Sequence, residues 1–332
     1  MKKLFCLLLV LAMAFAMAVT ANAEADLSGY KIGVAMAEIS NDGWAINRDG
    51  VIDNLDALGV EYLLYDATAD VAKQTQQIED LIAQGVSGII MVPVDSNAIV
   101  NSIEKCNKAG IPVVCMDRGT NGGEIIGVVT SDNVACGAEA AKLMLAAAEK
   151  QGVALEDIVC LELLGNQGDS AGLERHTGFY DTATELGMNV VASMNTDWSP
   201  DKAYNSVLDG FQAHPDINAI FMASDCAVQS GVLSALKHLD KLVPVGEEGH
   251  IIIGSVDGGW EMFESIRKGE TDVSAGQKQY EMGRLAVERM IDCLTTGNTE
   301  FQNVLIAPDN ITVDNVDSED HWINVYHANQ QG

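Results

Sequence analysis

Short apolar runs alternate with amphipathic stretches along almost the whole chain. Tyr30–Ala37, Tyr62–Tyr65, Gly88–Val92, Ile111–Met116 and Ile125–Thr130 are brief and β-branched. Between them, Asp42–Leu58, Val71–Ala83 and Asn97–Ala109 read as helices, the first two stopped by Gly59 and Gly85. Strands that are apolar without interruption are buried on both faces, which is the habit of a parallel sheet. A helix from Ser131 to about Gln151 follows, and the unit restarts. Strands are predicted at Ile158–Leu164, Asn189–Met194, Ala219–Ala223, Ile251–Val256 and Thr271–Ala275. Helices are predicted at Ser170–Leu186, Pro200–Ala213, Cys226–His238, Trp260–Lys268 and Gln279–Thr296. The fold class is therefore α/β, with two successive doubly wound parallel-sheet units of similar size. The acidic tail Asn315–Glu319 reads as surface.

Open parallel sheets bind ligands beyond the carboxyl ends of their strands. Polar and aromatic residues recur at those ends. Glu38, Asn41 and Trp44 follow the first strand, and Asp117 and Arg118 follow Ile111–Met116. In the second unit they are Arg175, Asp197 with Trp198, Ser224 with Asp225, Asp257, and Gln277. Carboxylates accept hydrogen bonds, a guanidinium donates several in a fixed fork, and a Trp face covers an apolar ring surface. Together they suit a small ligand carrying several hydroxyls, held where two units meet.

Charge narrows the partners. The 332 residues include 19 basic and 48 acidic ones, a formal charge of −29. So acidic a chain repels phosphate backbones and anionic membranes, which argues against nucleic acid. At the start, Met1-Lys2-Lys3, the apolar Leu4–Val19 and Ala21-Asn22-Ala23 form the three regions of a cleaved secretory signal peptide, expected over residues 1–23. Its apolar run is short for a membrane span, and Cys6 within it has no lipid-anchor motif around it. Cys106, Cys115, Cys136, Cys160, Cys226 and Cys293 show no CxxC or zinc spacing, so they are expected as buried free thiols.

Enzyme motifs are weak or absent. Gly168-Asp169-Ser170-Ala171-Gly172 matches the G-x-S-x-G nucleophile elbow, but Gly165–Gln167 separate it from the strand, and a helix cap is the simpler reading. No G-x-G-x-x-G follows the first strand, and neither a phosphate-binding P-loop nor a complete calcium loop is present. No catalysis, cofactor or metal is expected.

Longer segments carry a family resemblance: KIGV, NDGW and DG within Lys31–Gly50, QIEDLIAQGVSGIIMVPVDS at Gln77–Ser96, AGIPVVCMDR at Ala109–Arg118, SDN at Ser131–Asn133, SAGLERHTGF at Ser170–Phe179 and GSVDG at Gly254–Gly258. The chain resembles type I periplasmic sugar-binding proteins, in particular the ribose-binding type that feeds ABC importers. The resemblance implies two lobes joined by a three-strand hinge, with crossovers near Ser131, Gln277 and Pro308. It places residues 27–131 plus 278–307 in one lobe and 132–277 plus 308–328 in the other. It implies a monosaccharide ligand (pentose, hexose or related polyol), ABC permease subunits as partners, an extracytoplasmic location and a monomer. By position, Asn41, Trp44, Asp117, Arg118, Arg175, Trp198, Asp257 and Gln277 match the family's ligand residues, and Ser224 stands where the ribose type has Asn. Ala37 and Gly43 also depart from the ribose pattern, which points to a different or larger sugar. A ligand-presenting sensor would use the same site; a secreted hydrolase using Ser170 is the remote alternative.

Overall fold

The structure is a computed structural model that describes residues 26–40 and 42–331. The expected signal peptide and Asn41 lie outside the described residues. The first unit runs β1 (Lys31–Met36), α1 (Asp42–Ala57), β2 (Glu61–Asp66), α2 (Val71–Ala83), β3 (Gly88–Met91), α3 (Val100–Lys108), β4 (Val113–Met116) and β5 (Gly127–Ser131). The second runs α4 (Asn133–Lys150), β6 (Val159–Leu164), α5 (Ser170–Leu186), β7 (Asn189–Asn195), α6 (Pro200–Ala213), β8 (Ala219–Met222), α7 (Asp225–His238), β9 (Ile252–Asp257), α8 (Trp260–Lys268) and β10 (Val273–Gly276). Then follow α9 (Gln279–Thr296), β11 (Gln302–Ile306), β12 (Asp309–Thr312) and α10 (Trp322–Gln331).

Two six-stranded sheets result, in the orders β11-β5-β4-β3-β1-β2 and β12-β10-β9-β8-β6-β7. Every pairing is parallel except β10 with β12. The interior strands β3, β4 and β8 are buried at every residue, which is why they read as unbroken apolar runs. The edge strands β2 and β7 are only partly covered. Helix α2 ends ahead of Gly85 at φ +67°, a left-handed step that a Cβ would hinder. In each sheet the strand order reverses about the first strand, β1 or β6, and the carboxyl ends at such a reversal are where open α/β sheets bind ligands.

The chain passes between the sheets three times: from β5 into α4, from β10 into α9, and from β11 into β12. The passages lie side by side, since the Asp132 amide donates to the Ile306 carbonyl at 2.9 Å and the Ser131 hydroxyl to Gln277 Oε1 at 2.8 Å. Helix α9 returns to the first sheet, where Met282, Ala286, Val287 and Met290 share a core with Val114 and Val129.

Sequence pattern missed β11, β12 and α10. Strand β11 is a half-exposed edge, β12 is four mostly polar residues, and α10 is polar over its last turns, so none shows a clear period. The acidic tail is not surface throughout, because Val316 is buried in the second core. Helix α10 ties the halves together. Its Ile323 enters the second core, which also takes Ile46 from α1. Its Trp322 stacks on Tyr280 at 3.5 Å, and His327 Nε2 meets Asp42 Oδ2 at 2.8 Å while its ring stacks on Trp260.

Candidate functional site

The residues that end the second sheet's strands form one bonded cluster. Asp257 closes β9 with φ +104°, a conformation disfavoured for any side chain with a Cβ. Its Oδ1 meets Arg175 Nη1 at 2.8 Å and accepts from Gln277 Nε2 at 2.7 Å, while Oδ2 accepts from the Ser224 hydroxyl at 2.5 Å. Arg175 comes from α5 and is 6% exposed. Its Nε donates to Asn133 Oδ1 at 2.9 Å, and Nη1 donates to the Ala223 carbonyl at 2.9 Å. Burial works to lower its pKa, but the Asp257 carboxylate, through its charge and its hydrogen bond, outweighs that together with Asp117 and raises it. Asp117 belongs to the other sheet, at the end of β4.

Trp198 completes this side. It follows Asp197, and both have left-handed backbones, φ +60° and +49°. The outer edge of its ring lies against Gly165, where a Cβ would fall 1.9 Å from it. The indole Nε1 donates to Asp169 Oδ2 at 2.7 Å, and the Arg175 guanidinium sits 5.8 Å from the ring centre. The other oxygen of Asp169 accepts from the Gly172 amide at 2.7 Å and caps α5. The G-x-S-x-G segment is thus a helix start, with Ser170 as its first residue.

The first sheet presents a looser set. Asp117 turns the chain after β4 at φ +63°, held by its amide to the Val129 carbonyl and by Thr130 Oγ1 donating to its own carbonyl at 2.7 Å. Arg118 Nε lies 3.6 Å from Asp117 Oδ1, and its Nη1 donates to the Val94 carbonyl at 3.2 Å. Its guanidinium stands 5.4 Å from the ring centre of Trp44, which opens α1 and packs on the first core. Each side therefore offers a Trp, an Arg over it, and an Asp beside the Arg.

Of the residues named from sequence, Arg175, Trp198, Ser224, Asp257 and Gln277 meet on the second sheet, and Trp44, Asp117 and Arg118 on the first. Asn133, Asp169 and the Ala223 carbonyl were missed as parts of the site. The first two read only as helix-start residues, and a carbonyl leaves no mark in a sequence.

The profile of the periplasmic binding protein domain matches residues 32–299. The ribose import binding protein of Bacillus subtilis is 30% identical over 279 residues, covering 84% of this chain and 86% of that protein. The chain belongs to the periplasmic binding protein family. Another relative, the D-allose-binding periplasmic protein of Escherichia coli, is 26% identical and covers 80% of this chain and 84% of its own. Among solved structures, a periplasmic ribose ABC transporter protein from Conexibacter woesei superposes with a TM-score of 0.77 at 21% identity, covering 88% and 94% of the two chains. That likeness is one of fold: two doubly wound lobes joined by three connections. The family is one of binding proteins rather than enzymes, and it works outside the cytoplasm. Among the described residues, no helix is long and apolar enough to cross a membrane.

Proposed function

We propose that this chain is the extracytoplasmic binding protein of an ABC sugar importer. It takes a neutral monosaccharide or related polyol between its two lobes and delivers it to the permease subunits. The observation that carries this reading is the pair of Trp–Arg–Asp sets, one at the strand ends of each sheet. On each side the guanidinium has its own carboxylate, Asp257 for Arg175 and Asp117 for Arg118. Charges compensated within the protein favour a ligand rich in hydroxyls over an anion, and two indoles offer faces for a ring. Asn41, Trp44, Asp117, Arg118, Arg175, Trp198, Ser224, Asp257 and Gln277 are the proposed ligand residues. The relatives named for ribose and allose support the ligand class, not a particular sugar.

The proposed lobes are residues 27–131 with 278–307 and residues 132–277 with 308–328. Ligand touching both lobes binds the closed form better, and that difference drives closure. A thermal-shift screen of the monomer against pentoses, hexoses, furanoses and inositols tests the reading, since a ligand that binds only the folded state raises its stability. The expected result is a clear rise with at least one of them and a smaller radius of gyration in scattering with that sugar. No rise with any of them, at millimolar ligand, overturns it.

A further inference from the structure

Asp225, next to Ser224 in sequence, lies behind Asp257. Its carboxylate is buried, yet four donors converge on it. Oδ2 accepts from the Ser255 hydroxyl at 2.6 Å, the Ser274 hydroxyl at 3.0 Å and the Gly258 amide at 2.9 Å. Oδ1 accepts from the Gly259 amide at 2.9 Å. These donors belong to β9, β10 and the turn from β9 into α8. Asp225 itself begins α7, where Ser224 is the cap. Two consecutive residues of the gripped turn have positive φ, Asp257 at +104° and Gly258 at +72°. A backbone so disfavoured persists only where its surroundings over-determine it. Here the amides that follow Asp257 are pinned from one side by Asp225, and the Asp257 carboxylate is held from the other by Ser224.

We propose that Asp225 is a positioning residue: it holds the Asp257–Gly258–Gly259 turn in the conformation that aims the Asp257 carboxylate at Arg175, Ser224 and Gln277. Asp225 acts on ligand only through Asp257, so this inference rests on the sugar-cleft reading for its binding consequence. Its structural consequence stands apart from that reading. Burial and the neighbouring Asp257 charge push Asp225 up, while the bonds from the Ser255 hydroxyl and the Gly258 and Gly259 amides favour its carboxylate form.

The test compares Asp225→Ala and Asp225→Asn with Val232→Ala, a fully buried apolar truncation in the same helix α7. The probe is whichever sugar in the panel most raises the wild-type melting temperature. Asp225→Ala should weaken its binding about tenfold or more, Asp225→Asn less, because one oxygen remains to accept from the turn. Val232→Ala should lower the melting temperature and leave affinity near wild type. Crystal structures without ligand supply the second readout. In the Asp225→Ala protein Asp257 should relax to negative φ and leave Arg175. Asp257 unmoved in that structure overturns the proposal, as does an equal loss of affinity in Val232→Ala. If Asp225→Ala does not fold, Asp225→Asn carries both readouts, and wild-type behaviour in both overturns it. If no sugar binds wild type, the sugar-cleft reading fails while the crystal structures still judge Asp225.

Discussion

The strand ends of the two sheets use the same residue types in opposite ways. On the second sheet, Arg175 and Asp257 are nearly enclosed, with side chains 7% and 12% exposed, and Arg175 Nε and Nη1 and both Asp257 oxygens are bonded within the protein. On the first, Arg118 and Asp117 are 42% and 21% exposed and lie 3.6 Å apart. The contrast extends behind each face. The second half buries Glu162, Arg175, Asp225, Asp272 and His321. The first half buries Arg289, whose Nε donates to the Ile126 carbonyl at 3.0 Å, and otherwise holds its loops with neutral amides, such as Gln74, which donates to the Val92 carbonyl and accepts from the Val94 amide, both at 2.8 Å. An enclosed ion pair is rigid and presents fixed acceptors and donors before any ligand arrives. A half-exposed pair stays hydrated. In the proposed site the second face is therefore the pre-organised one, and the first would complete it on closure.

The sharpest way to break this contrast is to truncate the ion pairs. Asp257→Ala leaves Arg175 buried without its carboxylate and should lower folding stability by about 3–5 kcal/mol, with ligand binding weakened as well. Arg118→Ala should change stability by no more than about 0.5 kcal/mol while weakening ligand binding by about 1–3 kcal/mol. Denaturant melts and calorimetry read both. Equal stability losses on the two sides would end the comparison.

A smaller effect is expected in the response to pH, where the second half again stands alone among the described carboxylates and histidines with raised pKa values. Burial raises Glu162 against its bonds to Ser193 and His176, and burial with the Asp257 charge raises Asp225 to about 6. For His250, burial works downward, but Asp272 at 3.0 Å and the Val243 carbonyl at 2.6 Å on its two ring nitrogens win and raise it. All three hold their protons more tightly folded than unfolded. Their contribution is thus present at low pH and lost as pH rises through the folded pKa values. Melting temperature attributable to this half should rise on acidification from about pH 8 to about pH 5.5. For His250→Gln the loss relative to wild type should be fullest below about pH 6.5 and shrink as the pH rises above the folded value. A loss independent of pH would show that the imidazole contributes packing alone.

The smallest expected effect concerns the Trp198 indole. Trp198→Phe removes the Nε1 bond to Asp169 and should cost about 1 kcal/mol of stability. Urea melts read the loss. Wild-type stability in that variant would show that the bond to Asp169 does not hold the ring of the second face.

Cysteine gives a similar lesson about what local pattern can carry. Among the described residues six thiols are free, and Cys106, Cys115, Cys136, Cys160 and Cys293 are buried as their apolar settings imply. Cys226 is exposed, although it too was expected inside. It lies in the first turn of α7, just past the end of β8.

Much of the architecture is written locally in the chain. Apolar runs such as GIIM of β3 and VVCM of β4 specify strands buried on both faces. Gly85 stops a helix because only it takes φ +67° without strain. The alternation of the two patterns compels a parallel sheet, and the sheet's carboxyl ends point to Asp117, Arg175 and Asp257. Partner choice is different, because it joins residues far apart in sequence and depends on which strand lies beside which. Only the tertiary structure brings Asn133 to Arg175, Asp169 to Trp198, and Ser255 and Ser274 to Asp225. It also decides that β11 and β12 belong to different sheets and that α10 bridges both lobes, since those short polar segments gain order from their neighbours rather than from a period of their own.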